Sequence, residues 1–229
     1  TGAVNDQVDE LVAADILLVS SAGNYARQHY WADFQDDNRD GLHDFEDGSQ
    51  RLPIYLNAGT TTVSLIWDDF WSCGATDLDA YVMNGDGDMV GRSRRTQAQG
   101  RKDCRPVESV SARAAEEGWH SLVVERAAGL ESARFDVITR GGAIDGARPE
   151  HSVTDPGSHP GTFTVGAVRA DGYRFNGAEG FSSHGPTHAG LSKPDIAGPD
   201  GLTTSVYGQR GFYGTSAATP AVAAALALL

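Results

Sequence analysis

Gly214-Thr215-Ser216-Ala217-Ala218-Thr219-Pro220 runs directly into Ala221-Val222-Ala223-Ala224-Ala225-Leu226-Ala227-Leu228-Leu229. A small turn opening an apolar, Ala-rich run predicts a helix that buries on all sides, since small side chains permit close packing. It sets the Ser216 hydroxyl at the helix N-terminus, where unpaired N–H groups and the positive end of the dipole favour developing negative charge. Pro220 is expected in the first turn, where no N–H is needed. Alone, the stretch also reads as a Ser/Thr-capped core helix.

Three further segments accompany it in order. Leu17-Leu18-Val19-Ser20-Ser21-Ala22-Gly23-Asn24 is an apolar strand ending in Ala-Gly-Asn. Ser152-Val153-Thr154-Asp155-Pro156-Gly157 leads into Thr162-Phe163-Thr164-Val165-Gly166-Ala167-Val168. Phe181-Ser182-Ser183-His184-Gly185-Pro186 and Lys193-Pro194-Asp195-Ile196 follow. Closed by Gly-Thr-Ser-x-Ala-x-Pro, this series resembles the subtilisin-like serine peptidases, the subtilases, over roughly the first 25 and last 80 residues. The resemblance implies an α/β fold, part of a three-layer domain built on a parallel sheet. It implies that Ser216 is the nucleophile and that Asn24 supplies a side-chain donor to the oxyanion hole. The family's general-base His and orienting Asp lie earlier in the chain, in a His-Gly-Thr helix start and an Asp-Thr/Ser-Gly turn. Neither motif occurs in these 229 residues. The expectation is therefore the carboxyl-side half of a serine endopeptidase domain, inactive without its N-terminal half and acting, when whole, on protein or peptide substrates.

In chain order, Val4, Val8, Leu11 and Val12 share one helix face, and Ile16 to Val19 form the continuous apolar run of a buried parallel strand. Asn24 follows that strand's carboxyl end, where open α/β sheets carry their chemistry. From Tyr25 the periodicity changes to two. Val63, Leu65 and Trp67 alternate with polar or outward neighbours, as do Leu78, Ala80 and Val82, then Leu122 and Val124, then Phe135 and Val137. With Leu52, Ile54, Leu56 and the Val107–Ala112 stretch, and with turn signals such as Asn84-Gly85-Asp86-Gly87, this predicts an inserted antiparallel β-sandwich, loosely similar to jelly-roll modules. The boundaries follow: residues 1–27 and 149–229 for the two segments of the catalytic domain, 28–148 for the insert.

The insert opens on a second chemically loaded stretch, Asp36-Asp37-Asn38-Arg39-Asp40-Gly41-Leu42-His43-Asp44-Phe45-Glu46-Asp47. Oxygen donors at alternate positions followed by Gly suit a hard cation. Asp36, Asn38, Asp40, the Leu42 carbonyl, Asp44 and Asp47 are the expected ligands of a structural calcium ion. The pattern resembles an EF-hand-type loop, departing from it in the final Asp and the lack of flanking helices. Asp68, Asp69, Asp77 and Asp79 lie at strand ends and could hold another ion, but read first as loop carboxylates facing water. Arg92, Arg94, Arg95, Arg101 and Lys102 read as a solvated cluster. Trp31, Trp67, Trp71 and Trp119 are expected in the core. His184 and His188 read as loop histidines, and Asp195 as structural.

Eighteen basic against 31 acidic residues leave a net charge of −13. That balance argues against nucleic acid and against anionic membrane surfaces, and suits a soluble secreted protein or one that binds cations. No apolar run reaches the roughly 18 residues needed to span a bilayer. Cys73 and Cys104 are expected to form one disulfide. The abrupt start at Thr1 and stop at Leu229 read as those of an excised fragment. A rival reading treats the chain as a pseudo-enzyme or binding module whose β-insert does the work. An esterase of the Gly-x-Ser-x-Gly type is discounted, because that motif is absent.

Overall fold

A computed structural model describes residues 2–69, 74–97, 105–129 and 133–229. Cys73, Cys104, Trp71, Arg101 and Lys102 lie outside the described residues. In order, the elements are α1 (Ala3–Ala13), β1 (Leu18–Ser21), β2 (His29–Asp33), β3 (Leu52–Leu56), β4 (Gly59–Trp67), β5 (Thr76–Met83), β6 (Met89–Ser93), β7 (Val107–Ala114), β8 (Gly118–Gly129), β9 (Arg134–Arg140), β10 (Gly142–Ile144), β11 (Thr162–Arg169), β12 (Ile196–Asp200), β13 (Leu202–Thr204), β14 (Gly208–Phe212) and α2 (Thr215–Leu226). They fall into two compact units, residues 1–27 with 148–229, and residues 28–147.

The first unit is α/β. Its sheet runs β1-β11-β12, parallel throughout. Its small core joins Val165 and Ala167 of β11 to Ala218 and Val222 of α2. Gly198 permits the close approach of that helix, because a Cβ there would lie 2.7 Å from Val222 Cγ2. α1 ends where Asp15 turns left-handed, with φ 58, and the Ile16 N–H caps back to the Leu11 carbonyl.

Several expectations change here. β1 is an edge strand, half-buried along its length, and Ile16 and Leu17 precede it at 52% and 58% exposure. On α1 only Val8 is buried; Val4 and Val12 stay about half exposed, because no element among the described residues covers their side. α2 buries one stripe, Thr215, Ala217, Ala218 and Val222, rather than its whole circumference, since only its sheet-facing side is packed. Pro220 is the sixth residue of α2, beyond the first turn. Its missing N–H withdraws the bond that the Ser216 carbonyl would otherwise accept.

The second unit has two antiparallel sheets, β10-β3-β8-β5-β6 and β2-β9-β4-β7. Period-two alternation sends Ile54, Leu78, Val82, Leu122 and Val124 of one sheet and Val63, Leu65, Trp67, Phe135 and Val137 of the other into one apolar core. Among the described residues no strand of either sheet joins that of β1. Trp67 is buried as expected, but Trp119 is 55% exposed and meets the Tyr55 ring edge-on across the β3–β8 pair. The acidic group also departs from its reading: Asp69, Asp77 and Asp79 are buried, and only Asp68 is exposed. Asp69 accepts the Gly74 and Thr76 N–H groups, and Asp79 pairs with Arg94 Nε at 3.1 Å. Arg92 belongs to β6 and Arg94 to that ion pair, so this part of the basic cluster is structured.

Candidate active site

The two ends of the first unit meet at the N-terminus of α2. β1 delivers Ala22, Gly23 and Asn24 beside Gly214 and Thr215. Gly23 takes φ 103, a conformation that favours glycine. Its N–H donates to Thr215 Oγ1 at 3.2 Å. The fully buried Ser183 braces the same loop from the other side: its N–H donates to the Gly23 carbonyl, and its Oγ accepts the Tyr25 N–H at 2.9 Å.

Asn24 is held through its oxygen. Oδ1 accepts the Thr215 N–H at 3.0 Å and the Thr215 hydroxyl at 3.1 Å. A backbone N–H can only donate, so this bond fixes which end of the carboxamide is oxygen. The Nδ2 group is left against Gly214, where an added Cβ would come within 3.0 Å of it. Asn24 is exposed, and among the described residues Nδ2 is left as a free donor. Ser216, the next residue, is exposed while Thr215, Ala217 and Ala218 around it are buried. Its position at the start of α2 leaves its N–H without an intrahelical acceptor. An exposed hydroxyl thus lies beside one free backbone donor and one oriented side-chain donor at the positive end of a helix.

The two residues singled out for this chemistry, Ser216 and Asn24, therefore stand at one place. Thr215 and Ser183, which position them, escaped the sequence reading. Both lie inside stretches it quoted, but their partners are 191 and 158 residues away in the chain. His184 bonds through Nδ1 to the Gly185 carbonyl, and the His188 ring stacks on His151 at 4.2 Å. Asp195 accepts the Thr164 N–H and the buried Lys193 ammonium, both at 2.7 Å, a structural arrangement.

In the second unit, Asp36, Asn38, Asp40 and Asp44 are gathered in one loop. Asp36 accepts the Asp40 and Gly41 N–H groups and pairs with Arg126 at 3.1 Å. The Gln50 carboxamide donates to Asp40 Oδ2 at 2.9 Å and Asp44 Oδ1 at 3.2 Å. Its bond, followed by that of the Leu42 N–H, holds the Asp40 carboxyl below its usual range. Asp47 turns away to cap the Ser49 N–H, and Leu42 bridges to Glu125. Among the described residues no group of three or more His, Cys, Asp or Glu side chains is placed to hold a metal ion. Nearby, on the outer face of the five-stranded sheet, Asp77, Asp79, Arg92, Arg94, Thr96 and Ala127 line a cleft of about 360 Å³. Burial raises both carboxyls there above the usual range.

The subtilase family profile matches residues 71–229. No curated protein sequence matches the chain. Among solved structures, the CspB protease of Clostridium perfringens shares the fold at a TM-score of 0.61 and 16% identity, with 99% of this chain and 53% of that one covered. The chain thus spans about half the length of that structure.

Proposed function

The chain belongs to the subtilase family, and we propose that it is the carboxyl-side part of a serine endopeptidase domain in which Ser216 is the nucleophile. The observation that carries this reading is the Thr215–Asn24 pair, which aims a free amide donor at the helix end beside an exposed hydroxyl. In the reaction, Ser216 Oγ attacks the carbonyl carbon of a peptide substrate and loses its proton to a base. The carbonyl oxygen becomes an oxyanion, held by Asn24 Nδ2 and the Ser216 N–H. Both belong to exposed residues and Asn24 is already oriented by Thr215, so little reorganisation opposes the step. Collapse of the tetrahedral species expels the amine and leaves an acyl-enzyme, which water then hydrolyses.

A free hydroxyl is a poor nucleophile near neutral pH, so the base is essential. His184 and His188 are engaged elsewhere in their loops. The general-base His and its Asp are proposed to come from a preceding half-domain. Two features support that partner: the edge of β1 that pairs with no strand among the described residues, and the exposed Val4, Val12, Ile16 and Leu17 before it in the chain. On this reading residues 28–147 are an inserted β-sandwich and the whole protein works outside the cell. Calcium at Asp36, Asn38, Asp40 and Asp44 would be structural. Their oxygens share one loop, and an ion there would have to take the place of the Gln50 carboxamide on Asp40 and Asp44.

The test uses a fluorophosphonate and a peptide substrate. The 229-residue chain alone is expected to give neither labelling nor cleavage. The full-length parent is expected to give both, and Ser216→Ala should abolish both. Asn24→Ala should lower turnover by about 10²–10³, the scale that subtilisin sets for an oxyanion donor, and leave labelling intact. Full activity in the isolated chain would refute the need for an outside base. An inert parent carrying the His and Asp motifs would favour a second reading, a pseudo-enzyme that binds through its insert. The charged cleft at Asp77 and Asp79 is the observation that supports this second reading.

A further inference from the structure

We infer that Asp200 is a positioning residue for this reaction: its carboxylate fixes the Gly214 amide and thereby the turn that presents Ser216. The inference rests on Ser216 being the nucleophile. Asp200 ends β12 and is fully buried. Oδ2 accepts the Gly214 N–H at 2.9 Å, while Oδ1 meets no donor among the described residues. A buried carboxylate is costly unless it is paired and hydrogen-bonded. A guanidinium is within reach of the same small cavity, about 120 Å³, which Asp200 lines with Arg169, Asp171, Gly201 and Tyr213. Yet Arg169 is committed to Asp171 through two bonds, of 2.8 and 2.7 Å. Among the described residues the carboxylate is thus kept buried with the Gly214 amide as its one hydrogen-bond donor.

What that amide controls explains why. Gly214 adopts φ 107, ψ 166, and its carbonyl accepts the Ala217 and Ala218 N–H groups that begin α2. Without a side chain it has little of its own to resist rotation. The consecutive N–H groups of Gly214 and Thr215 are taken by Asp200 and Asn24. Rotation at Gly214 would pull the Thr215 N–H away from Asn24 Oδ1 and tilt Ser216 with it. An ionised acceptor makes the bond about twice as strong as a neutral one would.

Two variants of the full-length parent test this, Asp200→Ala and Asp200→Asn. Asp200→Ala should lower kcat by about ten- to a hundredfold, the cost of a misplacement of about 1 Å, with KM changed less than about twofold. Asp200→Asn keeps an acceptor and should recover most of that loss. A second readout does not depend on activity. In the 229-residue chain, carbonyl-labelled Tyr with nitrogen-labelled Gly marks the Tyr-Gly amides alone, those of Gly208 and Gly214. The Gly214 proton, bonded to a carboxylate, should resonate far downfield, move upfield in Asp200→Asn, and further in Asp200→Ala, with Gly208 unmoved. An unshifted Gly214 resonance overturns the inference. So does a shifted resonance with kcat unchanged and only the melting temperature lowered, which is the signature of packing. A wild-type parent that neither cleaves nor is labelled defeats the nucleophile reading itself, and the resonance then separates that failure from a missing Asp200–Gly214 bond.

Discussion

Replacing Thr215 by Val keeps its shape and backbone N–H but deletes Oγ1. That atom donates to Asn24 Oδ1 at 3.1 Å and accepts the Gly23 N–H at 3.2 Å. Thr215 is fully buried, so water cannot take the hydroxyl's place. The Asn24 oxygen keeps one of its two donors, the Thr215 N–H at 3.0 Å. The Gly23 N–H loses its acceptor, and a polar group left unsatisfied away from water costs about 1–3 kcal/mol. The apolar methyl that fills the space returns little, because no cavity is created. The expected loss is therefore about 1–3 kcal/mol of unfolding free energy, most of it from Gly23. Urea denaturation reads this as a lower midpoint at an unchanged slope. Thr215→Ser restores the hydroxyl and should recover most of the loss. A Thr215→Val midpoint equal to wild type would refute the reasoning: the Oγ1 bonds would not hold the loop, and the orientation of Asn24 would rest on the Thr215 N–H.

Two further outcomes follow from the second unit. Burial raises the Asp77 carboxyl in the folded protein, so between the unfolded value, about 3.9, and the folded one the native state binds more protons and stability falls as pH rises. Asp77→Asn, which can still accept the Gln97 N–H, should therefore raise the melting temperature at pH 7 and make little difference near pH 3; an equal gain at both would refute it. Calcium should raise the melting temperature of the wild type in proportion to RT ln(1 + [L]/Kd), a chelator should reverse it, and Asp40→Ala should remove the response. A wild type indifferent to both additions leaves the Gln50-bridged network as the whole content of that loop.

The sequence was most legible where a residue's fate depends on its neighbours in the chain. Alternation placed Val63, Leu65, Leu78, Leu122 and Phe135 on inward faces, and they are all fully buried. It failed where distant segments decide. Asp77 and Asp79 alternate with core residues and so looked solvated, but the chain after β6 returns over them, bringing Arg94 and the Gln97 N–H. Spacing alone assigned Asp47 to the twelfth place of the cation loop. Instead Gly48 turns the chain, with φ 75 and its N–H on the Phe45 carbonyl, so Gln50 arrives at Asp40 and Asp44. At the candidate site Ser216 and Asn24 could be named from motifs. The hydroxyl of Thr215, the Ser183 brace and the Asp200 carboxylate could not, because each acts on backbone delivered by another part of the chain.

The position of the second unit in the chain has a topological reason. β1 and β11 are adjacent and parallel, with Leu18 opposite Thr162. Parallel neighbours cannot be joined by a tight turn; they need a crossover of a dozen or more residues. The connection from Ser21 to Thr162 is therefore obligatory, and its length is the free variable. Even a structureless chain lengthened from about 12 to about 140 residues would lose only about 2 kcal/mol in closure entropy. Residues 28–147 are not structureless: their two sheets share a core of their own, with Phe135 and Trp67 at its centre. The penalty on the β1–β11 pair is smaller still. The register that brings Asn24 to Thr215 depends on the strand pair and on Ser183, all within the first unit. A crossover of this kind can carry a separately folded body without disturbing the geometry at Ser216.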